Sequence, residues 1–148
     1  VPAGAQAGGD KAAINAIYQQ FGDAFVKKDV NAIMELYAPD VFVFDVVPPR
    51  QYVGRDAYKK DWDDLFAGLP GPTTMHVTDV AITVAGRMAY THYISDGTAV
   101  DKDGKSLHLV VRGTDVLRKI KGKWLIVQEH NSFPVDLATG QADTLSKE

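Results

Sequence analysis

The chain contains no cysteine, so disulfides, thiolate nucleophiles and cysteine-held zinc are excluded together. It has no apolar run near 20 residues, which removes a membrane-crossing helix. It has no basic run either: 16 Lys and Arg stand against 19 Asp and Glu, a net charge of −3. Without clustered cations to meet phosphates, nucleic acid is not an expected partner. The four histidines show no H-x-x-x-H pair on one element, and no metal is expected. Asp101-Lys102-Asp103-Gly104-Lys105 lacks the frame and closing Glu of a calcium loop and reads as a solvated turn. Gly68-Leu69-Pro70-Gly71 is not followed by Gly-Lys-Ser/Thr, so it is no phosphate loop. No Gly-x-Ser-x-Gly elbow occurs.

What is there is one ordinary domain: 148 residues, 45% hydrophobic and 24% charged, long enough to bury roughly 70% of its unfolded surface. Residues 1–9 are small and uncharged and are expected to be disordered. This start fits a mature end left by a secretory signal, hence a periplasmic or secreted protein, and equally a trimmed start, hence a cytoplasmic one. The domain itself is placed at 10–135, with a loosely held polar tail at 136–148.

Asp10 can cap a helix over about 11–28, in which Ile14, Ile17, Tyr18, Phe21, Ala24 and Phe25 recur at spacings of three and four. Asp29 caps a short second helix carrying Val30, Ile33, Met34 and Tyr37, and Pro39 stops it. Val41-Phe42-Val43-Phe44-Asp45 is β-branched and aromatic and predicts a strand; Gln51 to Gly54 is a short extended return. Asp56 can cap a third helix with Tyr58, Trp62, Leu65 and Phe66 on one side. The apolar period then changes from 3.6 to 2. Strands are predicted over His76–Ala85, Met88–Gly97, Ser106–Ile120 and Trp124–Phe133, the first two joined by a hairpin at Gly86-Arg87. Helices first and a meander last predict an α+β fold with helices on one face of a curved antiparallel sheet.

The last two strands are apolar on both sides. His108, Val110, Arg112, Thr114, Val116 and Arg118 alternate with Leu107, Leu109, Val111, Gly113, Asp115 and Leu117. Trp124, Ile126, Gln128, His130 and Ser132 alternate with Leu125, Val127, Glu129 and Asn131. Three helices cover one side only, so the other predicts a second copy across a two-fold axis.

The stretch from Arg112 to Pro134, with its Lys121-Gly122-Lys123-Trp124 turn and His130-Asn131-Ser132 ending, resembles the closing hairpin of the NTF2-like superfamily, in its SnoaL-like and DUF4440-type branch. It is also similar to the association domain of calmodulin-dependent kinase II. The resemblance covers about residues 10–135. It implies a cone-shaped curved sheet with three helices on its concave side and an apolar funnel between them, suited to a small, largely apolar ligand. On the funnel wall it implies Tyr18, Phe21, Asp45, Trp62, Phe66, His76, Tyr90, His92, Arg112, His130 and Ser132.

Ketosteroid isomerase shares this fold and uses a carboxylate base with a Tyr and a protonated Asp as oxyanion donors. Asp45, just before Val46-Val47-Pro48, resembles its base. The matching helix position reads Phe21, with Tyr18 one turn earlier, and the matching strand position falls near Thr114 or Arg112. A second chemistry places His130 as acid or base and Arg112 as a clamp for a carboxylate-bearing ligand; the same two residues can instead be interior partners, Arg112 with Asp45 or Glu129. Two functions follow from the resemblance. One is ligand binding with cofactor-free acid–base chemistry of the isomerase, cyclase or lyase kind. The other is a non-catalytic dimerisation module.

Overall fold

A computed structural model describes residues 3–145. The elements run α1 (Ala3–Lys27), α2 (Val30–Met34), β1 (Tyr37–Phe44), β2 (Tyr52–Val53), α3 (Arg55–Gly68), β3 (Thr74–Ala85), β4 (Met88–Val100), β5 (Ser106–Ile120) and β6 (Lys123–Ser132). The fold is α+β: one curved, unclosed sheet of six strands in the order β2-β1-β6-β5-β4-β3, with three helices on its concave side. Successive strands pair antiparallel from β3 to β6, but β1 lies parallel to β6. The chain returns to β6 only after traversing the whole meander, so the parallel neighbours β1 and β6 are far apart in sequence.

α1 starts at Ala3, well before residue 11, so residues 3–9, expected to be disordered, are helical. Val1 and Pro2 lie outside the described residues. Asp10 is therefore inside the helix and caps nothing. Its Oδ1 accepts from Lys119 Nζ at 2.7 Å and Trp124 Nε1 at 2.9 Å, tying α1 to the β5–β6 turn. The Lys119 hydrogen bond, then that of Trp124, holds this carboxyl below its usual range. Asp29 caps α2 as expected, accepting from Ala32 N at 3.0 Å. Asp56 does not cap α3; Gly54 stands at that position with φ +87°, and Asp56 lies in the first turn.

The tight turns follow their chemistry. Gly86-Arg87 joins β3 to β4, with φ +63° at Gly86. Lys121-Gly122 joins β5 to β6, with positive φ at both. The tail folds back: Val135 bridges Ala142, and Thr144 O accepts from Val110 N at 2.8 Å, on the part of β5 that extends past β6.

The core gathers Ile14, Ile17 and Phe25 of α1, Tyr58, Trp62 and Phe66 of α3, and Val41, Val43, Leu117 and Ile126 of the sheet. Gly113, in mid-strand, is required by a close approach. A Cβ there would sit 2.3 Å from ring atoms of Tyr93, its cross-strand neighbour on β4. The Tyr93 ring thus lies flat over the gap in β5 and is aimed along the concave face. Gly113→Ala is expected to cost about 2–3 kcal/mol through overpacking, measured by urea denaturation, and to displace the Tyr93 hydroxyl from its partner described below.

Candidate functional site

Between helices and sheet lies a cavity of about 460 Å³. α1 contributes Ile17, Tyr18, Phe21 and Phe25; α3 contributes Tyr58, Asp61, Trp62 and Leu65; the sheet contributes Leu107, Leu109, Val111, Asp115 and Glu129. Val47, Leu65 and Leu107 are exposed and form the mouth, whereas Tyr37, Tyr58, Asp115 and Glu129 are buried and form the deep end. The wall is chiefly apolar, as binding cavities for small molecules are.

The deep end carries two acids. Asp115 of β5 and Glu129 of β6 are directly opposed across the strand pair and both are buried. Each is met by phenols. Tyr18 Oη donates to Asp115 Oδ2 at 2.9 Å and Tyr93 Oη to Oδ1 at 3.3 Å. Thr91 Oγ1 hydrogen-bonds the Tyr18 hydroxyl in turn. Tyr37 Oη donates to Glu129 Oε2 at 2.8 Å, Tyr58 Oη to Oε1 at 2.5 Å, and Asn131 Nδ2 to Oε1 at 3.0 Å. Burial, then the charge of Glu129, pushes the Asp115 carboxyl well above the carboxylate range; burial also raises Glu129, against the hydrogen bonds of Tyr58 and Tyr37. Two carboxylates this close cannot both ionise. Burial and mutual repulsion therefore make the pair hold a proton more tightly than free carboxylic acids do.

Asp45 follows β1 at the cavity wall. Its Oδ1 accepts from Val46 N at 2.6 Å and Asn131 Nδ2 at 3.5 Å. Its Oδ2 has no hydrogen-bond partner among the described residues. Burial, then the charge of Glu129, raises the Asp45 pKa to about 7, so both protonation states are populated near neutral pH.

Of the residues expected on the funnel wall, Tyr18, Phe21, Asp45 and Trp62 line the cavity. Phe66 is buried behind them, its ring 5.3 Å from Phe25 and 5.7 Å from Trp62. Arg112, His130, His76, Tyr90 and His92 are exposed on the opposite side of the sheet, and Ser132 pairs with Arg112 on that side. The expectation that Arg112 and His130 point inward is corrected, and the carboxylate clamp loses its geometry. His92, Thr114, His130 and Phe44 are successive cross-strand neighbours across the outer face.

The physical reason is a bulge. Val116 pairs with Gln128 and Leu117 with Ile126, so Val127 is an extra residue in β6. Simple alternation from Trp124 and Ile126 puts His130 inside; one inserted residue reverses the phase and puts Glu129 and Asn131 there instead. In β5 the interior face is that of Leu107, Leu109, Val111 and Leu117. It is the more aliphatic of the two, and that signal was available. The deep-end residues Tyr37, Tyr58, Tyr93, Asp115, Glu129 and Asn131 were all missed as site residues. A Tyr and an Asp do meet at the deep end, but they are Tyr18 and Asp115 rather than Phe21 with Thr114 or Arg112.

Residues 14–136 match the SnoaL-like domain. The chain belongs to the SnoaL-like family. No curated protein sequence matches it. An NTF2-like protein of unknown function from Pseudomonas putida KT2440 superimposes on this SnoaL-like chain with a TM-score of 0.85 at 25% identity, covering 95% of this chain and 97% of that one. A ketosteroid isomerase-like protein from Erwinia carotovora atroseptica gives 0.70 at 21% identity, over 82% and 93%. A Xanthomonas campestris protein, provisionally named as a calcium/calmodulin-dependent protein kinase II association domain, gives 0.70 at 22%, over 80% and 84%. The last two likenesses are of fold.

The Asp45 environment makes the SnoaL-like domain less stable as pH rises. An unfolded Asp releases its proton near 3.8 while the native one holds it to about 7, so the native state binds more protons between those values and loses stability across them. Thermal unfolding of native protein and Asp45→Asn from pH 4 to 8 checks this: the variant is expected to gain relative to native protein as pH rises, with the gain complete above pH 7.

Proposed function

We propose that this SnoaL-like protein binds a small, largely apolar molecule in the cavity and moves a proton to or from it through Asp45, with chemistry supplied by side chains alone. The observation that carries the reading is the Asp45 carboxyl at the wall of an aromatic cavity, with one oxygen unpartnered and a pKa of about 7. A base is most effective when its pKa lies near the working pH. The likeness to a protein named ketosteroid isomerase-like supports proton transfer as the chemistry. Tyr18, Phe21 and Trp62 hold the ligand; Arg112, His130, His76, Tyr90, His92 and Ser132 take no part in it.

A chromogenic probe of carboxylate bases, 5-nitrobenzisoxazole, fits such a cavity and needs only C–H deprotonation at one carbon for its N–O bond to open. The protein is expected to accelerate this opening, with a rate that rises through pH 7 as Asp45 ionises. Asp45→Asn is expected to lose about 10²-fold or more, while Arg112→Leu and His130→Gln retain the native rate. An Asp45→Asn variant as fast as native protein would falsify the assignment.

The outer sheet face favours a second property, self-association. Tyr90 is 53% exposed there, with Val116 as its cross-strand neighbour on β5 and Phe42 and Phe44 on β1, whose rings lie 5.0 Å apart. We infer that a second copy covers this face across a two-fold axis; the likeness to a protein named as an association domain supports it. Light scattering at micromolar concentration is expected to report the mass of two chains for native protein and of one for Tyr90→Glu. A monomeric native protein would remove the dimer and leave the cavity chemistry standing.

A further inference from the structure

The hydrogen-bonding inventory of the cavity is one-sided. Five side chains on its wall are carboxylic acids, Asp45, Asp61, Asp64, Asp115 and Glu129, and none of the described lining residues is Lys, Arg or His. The phenolic donors are already used. Tyr18 and Tyr93 donate to Asp115, and Tyr37 and Tyr58 to Glu129. Asn131 gives its amide hydrogens to Glu129 and Asp45. The Trp62 indole N–H is buried on this wall without a partner, but the only charges the described lining residues present to a guest are negative.

That charge lacks a counterion. Asp64, at the mouth, pairs with Lys60 outside, but Asp45, Asp61, Asp115 and Glu129 form no salt bridge among the described residues. A buried carboxylate without a cation is costly even when hydrogen-bonded. Beside its aliphatic residues the wall carries a cluster of rings: Phe21, Phe25, Tyr58 and Trp62 are linked by edge-to-face and tilted contacts with centroids 5.7–6.1 Å apart. Aromatic faces attract cations, and more strongly out of water.

We propose that the natural ligand is an organic cation, an apolar body bearing a protonated amine or quaternary ammonium, whose charge lies between the aromatic wall and Asp45. The proposal rests on the cavity-binding reading above and narrows it to one ligand chemistry. It sets aside a carboxylate-bearing ligand, which would meet five acids and no cation among the described lining residues. A neutral ligand would fill the volume and leave the acids uncompensated.

Three probes of one size separate these cases: benzyltrimethylammonium, its neutral carbon isostere neopentylbenzene, and the anion 3-phenylpropionate. Their dissociation constants at pH 8 are read from quenching of tryptophan fluorescence, Trp62 being in the wall. The cation is expected to bind about tenfold or more tightly than the isostere, and the anion not to bind. Asp45→Asn is expected to reduce the advantage of the cation several-fold and to leave the isostere within about twofold. Equal binding of cation and isostere, or tighter binding of the anion, overturns the cationic ligand while leaving an apolar binding cavity in place. If none of the three binds, both readings fall.

Discussion

The opposed pair Asp115 and Glu129 is the constraint on which the rest of the interior depends. Two acids on adjacent strands, with side chains on the same face, repel one another and lose hydration. They persist because hydroxyls converge on them from α1, β1, α3 and β4, through Tyr18, Tyr37, Tyr58 and Tyr93. Each phenol joins an element to the sheet at a fixed point, and each is oriented by the acid it serves. The network therefore sets how closely the helices approach the sheet. A fully apolar centre could close on itself; this one is held by directional bonds whose loss would leave a buried charge unmet. The cavity persists in front of it.

The same pair governs Asp45. The charge of Glu129 is second only to burial in raising its carboxyl, and Asn131 reaches both acids. Proton affinity at the wall is thus set from the deep end, through one amide and one charge. Gly113 belongs to this arrangement as well. By omitting a side chain it lets the Tyr93 ring lie across β5 and deliver its hydroxyl to Asp115.

Much of the fold was legible. The helical spacing of Ile14, Ile17, Tyr18 and Phe25, the strand alternation after Pro72, and the turns at Gly86-Arg87 and Lys121-Gly122 each have a local physical signature. The site was legible in part, through Tyr18, Phe21, Asp45 and Trp62. The rest was hidden for two reasons. Alternation names two faces without saying which is inside, and an Asp or Glu looks like a surface residue until its phenolic partners are known. Those partners lie 71 to 97 positions away along the chain for Tyr58–Glu129 and Tyr18–Asp115, so no local motif contains them. Arg112 and His130 looked functional because their chemistry is familiar; the more aliphatic face of Leu107, Leu109, Val111 and Leu117 was the better guide.

The bulge at Val127 carries a consequence for how such a chamber diversifies. Register in a strand is binary, so pairing Val127 regularly, opposite Val116, in place of the bulge would rotate the end of β6 by half a pleat. Glu129 and Asn131 would turn to solvent, and Gln128 and His130 would enter. An acidic interior and an imidazole-bearing one are thus two registers of one strand, separated by a single bulge rather than by a series of substitutions. A scaffold with that property can exchange the sign of its inner chemistry while its helices, turns and outline stay where they are.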